Sequence, residues 1–233
     1  MSGETARAAF EAAGFAPSPE QSERFAAYFA LLSEWNQKVN LTAVADEAGV
    51  YEKHFADSLL ALPLVEGRAR VADVGTGAGF PGVPLLIARP DIRLTLIDSV
   101  QKKLDFLSAL LARLGLFADL VHARAEDAAR TPGLRDGFDA VLSRAVAPMN
   151  VLLELTLPFA KTNGAAVCFK GPALSEELPA AGRALLELNG RVEKVIAYAP
   201  PWGERRLALV LKTAPTPKKY PRKAGTPAKE PLC

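Results

Sequence analysis

The stretch from Val71 to Gly82, V-A-D-V-G-T-G-A-G-F-P-G, constrains the fold more than any other part of the chain. A short apolar run ends in four glycines within eight residues, Gly75, Gly77, Gly79 and Gly82. A helical pattern follows, with Pro81 and Pro84 near its start. Proline is tolerated in a first helical turn because its missing N–H has no partner there in any case. A strand that feeds a glycine turn and then a helix N-terminus offers a ligand bare backbone and the positive end of a helix dipole.

Two details narrow the ligand. The glycines alternate (G-x-G-x-G), whereas a dinucleotide fingerprint requires G-x-G-x-x-G. No Lys-Ser/Thr pair follows them, which excludes a phosphate-cradling P-loop. Asp73 stands two residues before the first glycine. Acid-x-G-x-G-x-G after a first strand resembles the cofactor loop of the S-adenosylmethionine-dependent methyltransferases.

From Arg70 onward, strand and helix patterns alternate. Strands are predicted at 70–74, 93–98, 118–122, 138–143 and 165–170, and helices at 101–114 (closed by Gly115), 149–159 and 175–188. Two last strands, 191–199 and 206–213, are joined only by P-P-W-G-E-R and read as an antiparallel hairpin. The expected fold is therefore α/β, a seven-stranded, mainly parallel, Rossmann-like sheet with a C-terminal antiparallel hairpin, the layout of class I methyltransferases. Residues 1–65 read as an N-terminal helical extension, 66–213 as the methyltransferase domain and 214–233 as a tail. Ser18-Pro19-Glu20-Gln21 is a helix start, with an N-cap, proline at N1 and glutamine at N3. Phe25, Tyr28, Phe29, Leu32, Trp35 and Val39 then recur at helical spacing, a stripe expected to pack in the core.

Charge and cysteine content exclude several classes. With 28 basic and 26 acidic residues, the net charge of +2 is too small for the whole chain to act as a polycation, so any nucleic-acid contact must be local. Two cysteines, Cys168 and Cys233, give no disulfide framework, and with two histidines no protein-built metal site is expected. The first fifteen residues lack the apolar core of a signal peptide, and no run is long enough to span a membrane. The chain is expected to be soluble and cytoplasmic. Its tail carries five prolines and five basic residues, Lys218, Lys219, Arg222, Lys223 and Lys229, against one acid, Glu230. Composition leaves two readings of it open, a solvated extension or a clamp on phosphates with Tyr220 as a stacking platform.

Ligands of open parallel sheets sit at the carboxyl ends of the strands. Asp98 ends the second strand, 19 residues after Gly79, where an acid binds ribose hydroxyls; an N-cap role before Ser99 is compatible with this. Phe80 follows the glycines, where a cofactor contact and a core role are equally open. Ala125 and Glu126 follow the third strand, where such folds meet the adenine. His54, Asp57 and Ser58, in K-H-F-A-D-S-L, read as hydrogen bonding along a helix surface, because a nucleophilic triad draws its members from separate elements. The fourth strand ends in S-R-A-V-A, without the acid or Asn, prolines and aromatic used by methyltransferases of exocyclic amines. Attack through base C5 needs a cysteine, and Cys168 lies mid-strand, where an inert thiol is expected. No residue is therefore assigned as catalytic. A ring nitrogen with a free lone pair, such as guanine N7, fits a pocket that works by alignment and electrostatics. Arg144 and Lys170, both at strand ends, are candidates to position the acceptor, and Arg144 also to hold the cofactor's carboxylate.

The set N-L-T, K-H-F-A-D-S-L, D-V-G-T-G-A-G-F-P-G, S-R-A-V-A, F-K-G and K-Y-P-R-K-A-G-T-P resembles ribosomal RNA small subunit methyltransferase G, also called the glucose-inhibited division protein B family. The resemblance runs from about Asn36 to the C-terminus. It implies transfer of the methyl of S-adenosylmethionine, by direct in-line displacement, to N7 of a guanine in a decoding-region loop of 16S rRNA (nucleotide 527 in the usual numbering). It further implies cofactor contacts at Gly75, Gly77, Gly79, Phe80, Ala125, Glu126 and Arg144, with Asp98 at the ribose. The partner expected is 16S rRNA or the small ribosomal subunit, met by Lys38, His54, Lys170, Lys218, Lys219, Tyr220, Arg222 and Lys223, with the enzyme a monomer. The resemblance also favours an ordered RNA contact for the tail, so that loss of 214–233 is expected to weaken RNA binding and spare the cofactor. Alternatives of other classes are a methyltransferase on a small molecule or protein, a nicotinamide-dependent oxidoreductase, and an RNA-binding protein with an inactive cofactor pocket.

Overall fold

In the computed structural model, which describes residues 3–65 and 70–233, seven strands form one sheet. They are β1 (Arg70–Val74), β2 (Arg93–Asp98), β3 (Asp119–His122), β4 (Phe138–Arg144), β5 (Ala160–Lys170), β6 (Gly190–Tyr198) and β7 (Arg205–Lys212). Their order is β3-β2-β1-β4-β5-β7-β6, with β7 antiparallel to both β5 and β6 and every other pair parallel. The chain thus runs outward from β1 to one edge and returns to β4 on the other side. That reversal opens a crevice at the carboxyl ends of β1 and β4. The expected boundary between 65 and 66 adjoins residues 66–69, which lie outside the described residues.

The helices are α1 (Gly3–Ala12), α2 (Pro19–Asn36), α3 (Glu47–Val50), α4 (Asp57–Leu59), α5 (Gly82–Ala88), α6 (Gln101–Leu114), α7 (Ala125–Ala128), α8 (Met149–Thr156), α9 (Leu174–Ala180), α10 (Gly182–Glu187) and α11 (Thr226–Lys229). Between α3 and α4 the chain widens into a π-helical turn, Tyr51–Ala56. No described helix is long and apolar enough to cross a membrane. The predicted helix start is present as a capping box: Ser18 Oγ accepts from Gln21 N, and Gln21 Oε1 accepts from Ser18 N. Gln21 Nε2 also donates to the carbonyls of Ile87 and Ala88, the last turn of α5, so one side chain ties both helix ends together.

The aromatic stripe of α2 packs on the glycine loop. Tyr28 is fully buried, stacked on Phe80 at 5.4 Å and 11°, and its Oη donates to Ala78 O at 2.5 Å. Gly79 has φ +97, and a Cβ there would lie 2.7 Å from Tyr28 Oη and 2.9 Å from Leu107. That glycine is therefore required by packing, whatever else its backbone contacts. Tyr28→Phe leaves the Ala78 carbonyl without its buried partner and is expected to cost about 1 kcal/mol. For a chain of this size that lowers the melting temperature by about 2–4 °C. An unshifted transition by calorimetry would mean the bond adds nothing to stability.

Three elements depart from expectation. The helix predicted at 175–188 is two, because Pro179 removes an N–H and the chain turns at Ala181 before α10. Strand β5 begins at Ala160 and reaches β4 across an irregular register between Phe138 and Ala140. The tail is neither a solvated extension nor a free arm. Tyr220 and Leu232 are buried in a cluster with Met149, Leu152, Cys168, Leu188 and Val210. A larger cluster joins Phe10, Phe25, Tyr28 and Phe55 of the N-terminal segment to Val71, Leu96 and Phe106, so helices and sheet share one core.

Candidate active site

Two cavities meet at Gly75 and Arg144, one on each side of the crevice. The first, about 380 Å³, is lined by Asp98, Ser99, Val100, Lys103, Ala125 and Glu126 among others. Asp98 is 6% exposed; its Oδ2 accepts from Gly77 N and its Oδ1 from Val100 N, both at 2.9 Å. The expected N-cap role is corrected, because the cap of α6 is Val100 and carries no side-chain cap bond; Asp98 instead ties the Val100 turn to the glycine loop. Gly77 has φ +61 with nothing within 4 Å of a Cβ, so its conformation, and not crowding, calls for glycine. Glu126 is buried, and its Oε1 accepts from Gly225 N at 2.8 Å.

Asp73 lies beneath the loop, fully buried. Its Oδ2 accepts from Thr76 Oγ1 at 2.7 Å and Gly82 N at 2.9 Å, while Oδ1 has no hydrogen-bond partner. Burial pushes its pKa up to about 6, against the hydrogen bonds from Thr76 and Gly82 that lower it. A buried carboxylate oxygen with no partner, a bare-backbone turn and an acid at the end of β2 are what an adenosyl group with a charged amino-acid chain needs. The residues present therefore fit S-adenosylmethionine.

The second cavity, about 590 Å³, is lined by Thr42, Lys53, His54, Asp57, Phe80, Arg144, Lys170 and Arg205 among others. Asp57 organises it. Only 3% exposed, this carboxylate accepts from Arg144 Nη1 at 3.1 Å, Arg205 Nε at 2.5 Å and Trp202 Nε1 at 3.2 Å. The reading of His54, Asp57 and Ser58 as a helix-surface group is corrected, because Asp57 and Ser58 are buried and the π-helical turn precedes them. Ser58 Oγ donates to the His54 carbonyl at 2.5 Å. Arg144 is held a second time by Lys53 O at 3.2 Å and lies over the Phe80 ring at 5.2 Å.

His54 stacks on that same ring, 4.5 Å from Phe80, with Nε2 2.7 Å from Thr42 Oγ1. Thr42 is brought there by Asn36, whose Oδ1 accepts from Leu41 N and Thr42 N. Burial, reinforced by Arg144, lowers the His54 pKa to about 4, so the imidazole is neutral at pH 7. Between about 4 and 6.5 the unfolded chain binds a proton that folded His54 refuses, and stability falls as pH falls. Asp73 has the opposite sign: between 3.8 and about 6 its folded carboxyl keeps a proton the unfolded chain has released. His54→Gln removes only the first effect. From about pH 6.5 to about pH 4.5 that variant is expected to lose less stability than the parent in urea unfolding. Equal losses would take the imidazole out of this linkage.

The structure brings Gly75, Gly77, Phe80, Asp98, Ala125, Glu126, Arg144, His54 and Lys170 to the walls of these two cavities. Lys170 is less free than expected, since its Nζ donates to Glu177 Oε2 and Ala147 O, each at 2.6 Å. Lys38 is exposed just past α2 and lines neither cavity. The tail residues diverge. Tyr220 is 4% exposed with its Oη on Glu187, so it is no stacking platform. Lys219 pairs with the same Glu187, and Arg222 grips Glu154, while Lys218 and Lys223 remain exposed. Sequence reasoning quoted Thr42 in N-L-T without giving it a role, and missed Arg205 and Trp202, which lie in the link between the last two predicted strands.

Residues 21–206 match the family model described as rRNA small subunit methyltransferase G. The chain belongs to that family. The family member of Lactobacillus delbrueckii is 48% identical over 226 residues, covering 94% of each chain. Those of Lactococcus lactis and Halalkalibacterium halodurans are each 46% identical, covering 92% and 97% of each chain respectively. Among solved structures, a methyltransferase from Pyrococcus furiosus superposes with a TM-score of 0.55 at 15% identity, over 83% of this chain and 100% of that one. A 16S rRNA adenine-N1-methyltransferase from Catenulisporales acidiphilia, solved with its cosubstrate, gives 0.53 at 17% over 65% and 88%. These distant likenesses carry the class I methyltransferase fold alone. The match to the methyltransferase G family model includes the glycine loop, Asp57 and Arg144 but ends at 206, short of the tail.

Proposed function

We propose that this chain methylates N7 of a guanine in small-subunit ribosomal RNA, the decoding-region guanine that the resemblance implies, acting in the cytoplasm as a monomer. Gly75, Gly77, Phe80, Asp98, Ala125, Glu126 and Arg144 hold S-adenosylmethionine, which supplies an activated methyl group when bound. The wall of the larger cavity carries the reading. It presents four cations, Lys53, Arg144, Lys170 and Arg205, against one carboxylate, Asp57, and its imidazole is neutral. Such a wall suits a polyanion, and its imidazole, with a pKa lowered to about 4, is a weak base.

An exocyclic amine must lose a proton on methylation, and base C5 needs a thiolate to attack the ring. Cys168 is fully buried in β5, with burial pushing its thiol up to about 12. Guanine N7 needs neither, because its in-plane lone pair is free before transfer. What remains for the protein is to hold the base still. Arg144 and Arg205 are suited to that, since Asp57 locks both guanidinium groups in place.

The test incubates the enzyme and labelled S-adenosylmethionine with small-subunit RNA and small subunits that lack the modification. The labelled RNA is then treated with borohydride and aniline, which break the chain at N7-methylguanine. Cleavage at a single guanine is the expected result. Label that survives without cleavage would overturn the N7 assignment, and no label at all would overturn the RNA substrate.

A further inference from the structure

The smaller cavity has a wall that lies outside the family model. Pro227 and Ala228 of α11 line it, opposite Asp98 and beside Val151 and Leu155 of α8. Four anchors hold that segment in place. Glu126 accepts from Gly225 N, which joins α7 directly to the residue preceding α11. Arg222 forms a two-pronged pair with Glu154, a carboxylate with no exposed surface, at 3.0 and 2.7 Å. Arg135 donates to the carbonyls of Tyr220 and Thr216 at 2.9 and 2.8 Å, and Arg130 donates to that of Pro221. Beyond α11, Asn150 Nδ2 lies 3.0 Å from Cys233 Sγ.

These contacts withdraw Arg222 from a clamp role, and Lys218, Lys223 and Lys229 stay exposed. The same contacts fix the tail where its apolar residues complete a pocket of nucleoside character. Ile97, Val100, Val151, Leu155 and Pro227 supply apolar surface, and Asp98 supplies an acceptor at the edge. An apolar slot with a few placed polar groups is how a flat heteroaromatic ring is bound. We infer that α11 is part of the cofactor site, with Pro227 and Ala228 closing the side that takes the adenosine of S-adenosylmethionine. The inference rests on the donor-site reading above. It reverses the expectation that loss of the tail spares cofactor binding.

The test measures S-adenosylmethionine binding by calorimetry for the parent, a chain ending at Gly225, Ala228→Trp, and Asp98→Ala. Ending at Gly225 keeps Tyr220 and Arg222 in place, and Ala228 is exposed, so its replacement leaves the core untouched. Both tail variants are expected to weaken binding at least roughly tenfold, the loss of about one placed contact. In the full chain, S-adenosylmethionine should also slow tryptic cleavage after Lys223 and Lys229. If Asp98→Ala weakens binding while both tail variants bind as the parent does, the inference is overturned and the donor site stands. If Asp98→Ala binds unchanged, the donor-site reading falls and the inference falls with it. Cleavage at the two lysines that is indifferent to the cofactor would also count against it.

Discussion

Asp57→Ala is expected to destabilise the folded chain by about 3–5 kcal/mol, the usual consequence of removing one partner from a buried ion pair. Asp57 is the shared counter-charge of Arg144 and Arg205, which come from β4 and β7, and it also accepts from the Trp202 indole. Without it two guanidinium groups lose the counter-charge they share. The melting temperature should fall by about 10 °C, and catalysis should fall further, because Arg144 loses its orientation. Arg205→Ala provides the contrast: it removes a cation that is 27% exposed and leaves the Asp57–Arg144 pair whole. Its cost should be under about 1 kcal/mol, in the range of a partly exposed pair. Thermal unfolding of the two variants checks the claim, and equal shifts would show that Asp57 does not organise the site.

Asp98→Ala is expected to weaken S-adenosylmethionine binding by roughly ten- to a hundredfold, the worth of a charge-assisted hydrogen bond. The same carboxylate accepts from Gly77 N and Val100 N, so the substitution also frees the glycine loop from the turn that begins α6. Asp98→Asn separates the two effects. Its remaining amide oxygen preserves one backbone contact, while the charge that strengthens ribose binding is gone. Calorimetry that shows unchanged affinity for the alanine variant would remove Asp98 from the site.

The features that sequence reasoning located correctly are local. Asp73 and the alternating glycines, the capping box at Ser18 and Gln21, the apolar face of α6 and the acid ending β2 each express a backbone requirement met within a few residues. Alternation of strand and helix then leaves one economical sheet, and the order β3-β2-β1-β4-β5-β7-β6 follows from it with the closing hairpin. The misreadings share a different origin. The packing demand on Gly79 is invisible in the motif, because it comes from Tyr28, 51 residues earlier in the chain. Tyr220 and Arg222 looked like a basic clamp because composition counts charges without their partners.

The chain's sequence by itself determined the glycine loop and the sheet, because spacing and residue type suffice for those. Only the tertiary structure decided what Asp57 and the tail do. Asp57 meets its partners 87 and 148 residues away, and Glu126 meets Gly225 across 99. Such pairings depend on which strands become neighbours, and a buried charge takes its meaning from the counter-charge that folding delivers to it. The glycine loop announces the donor site along the chain; the walls that close it come from elsewhere in the fold.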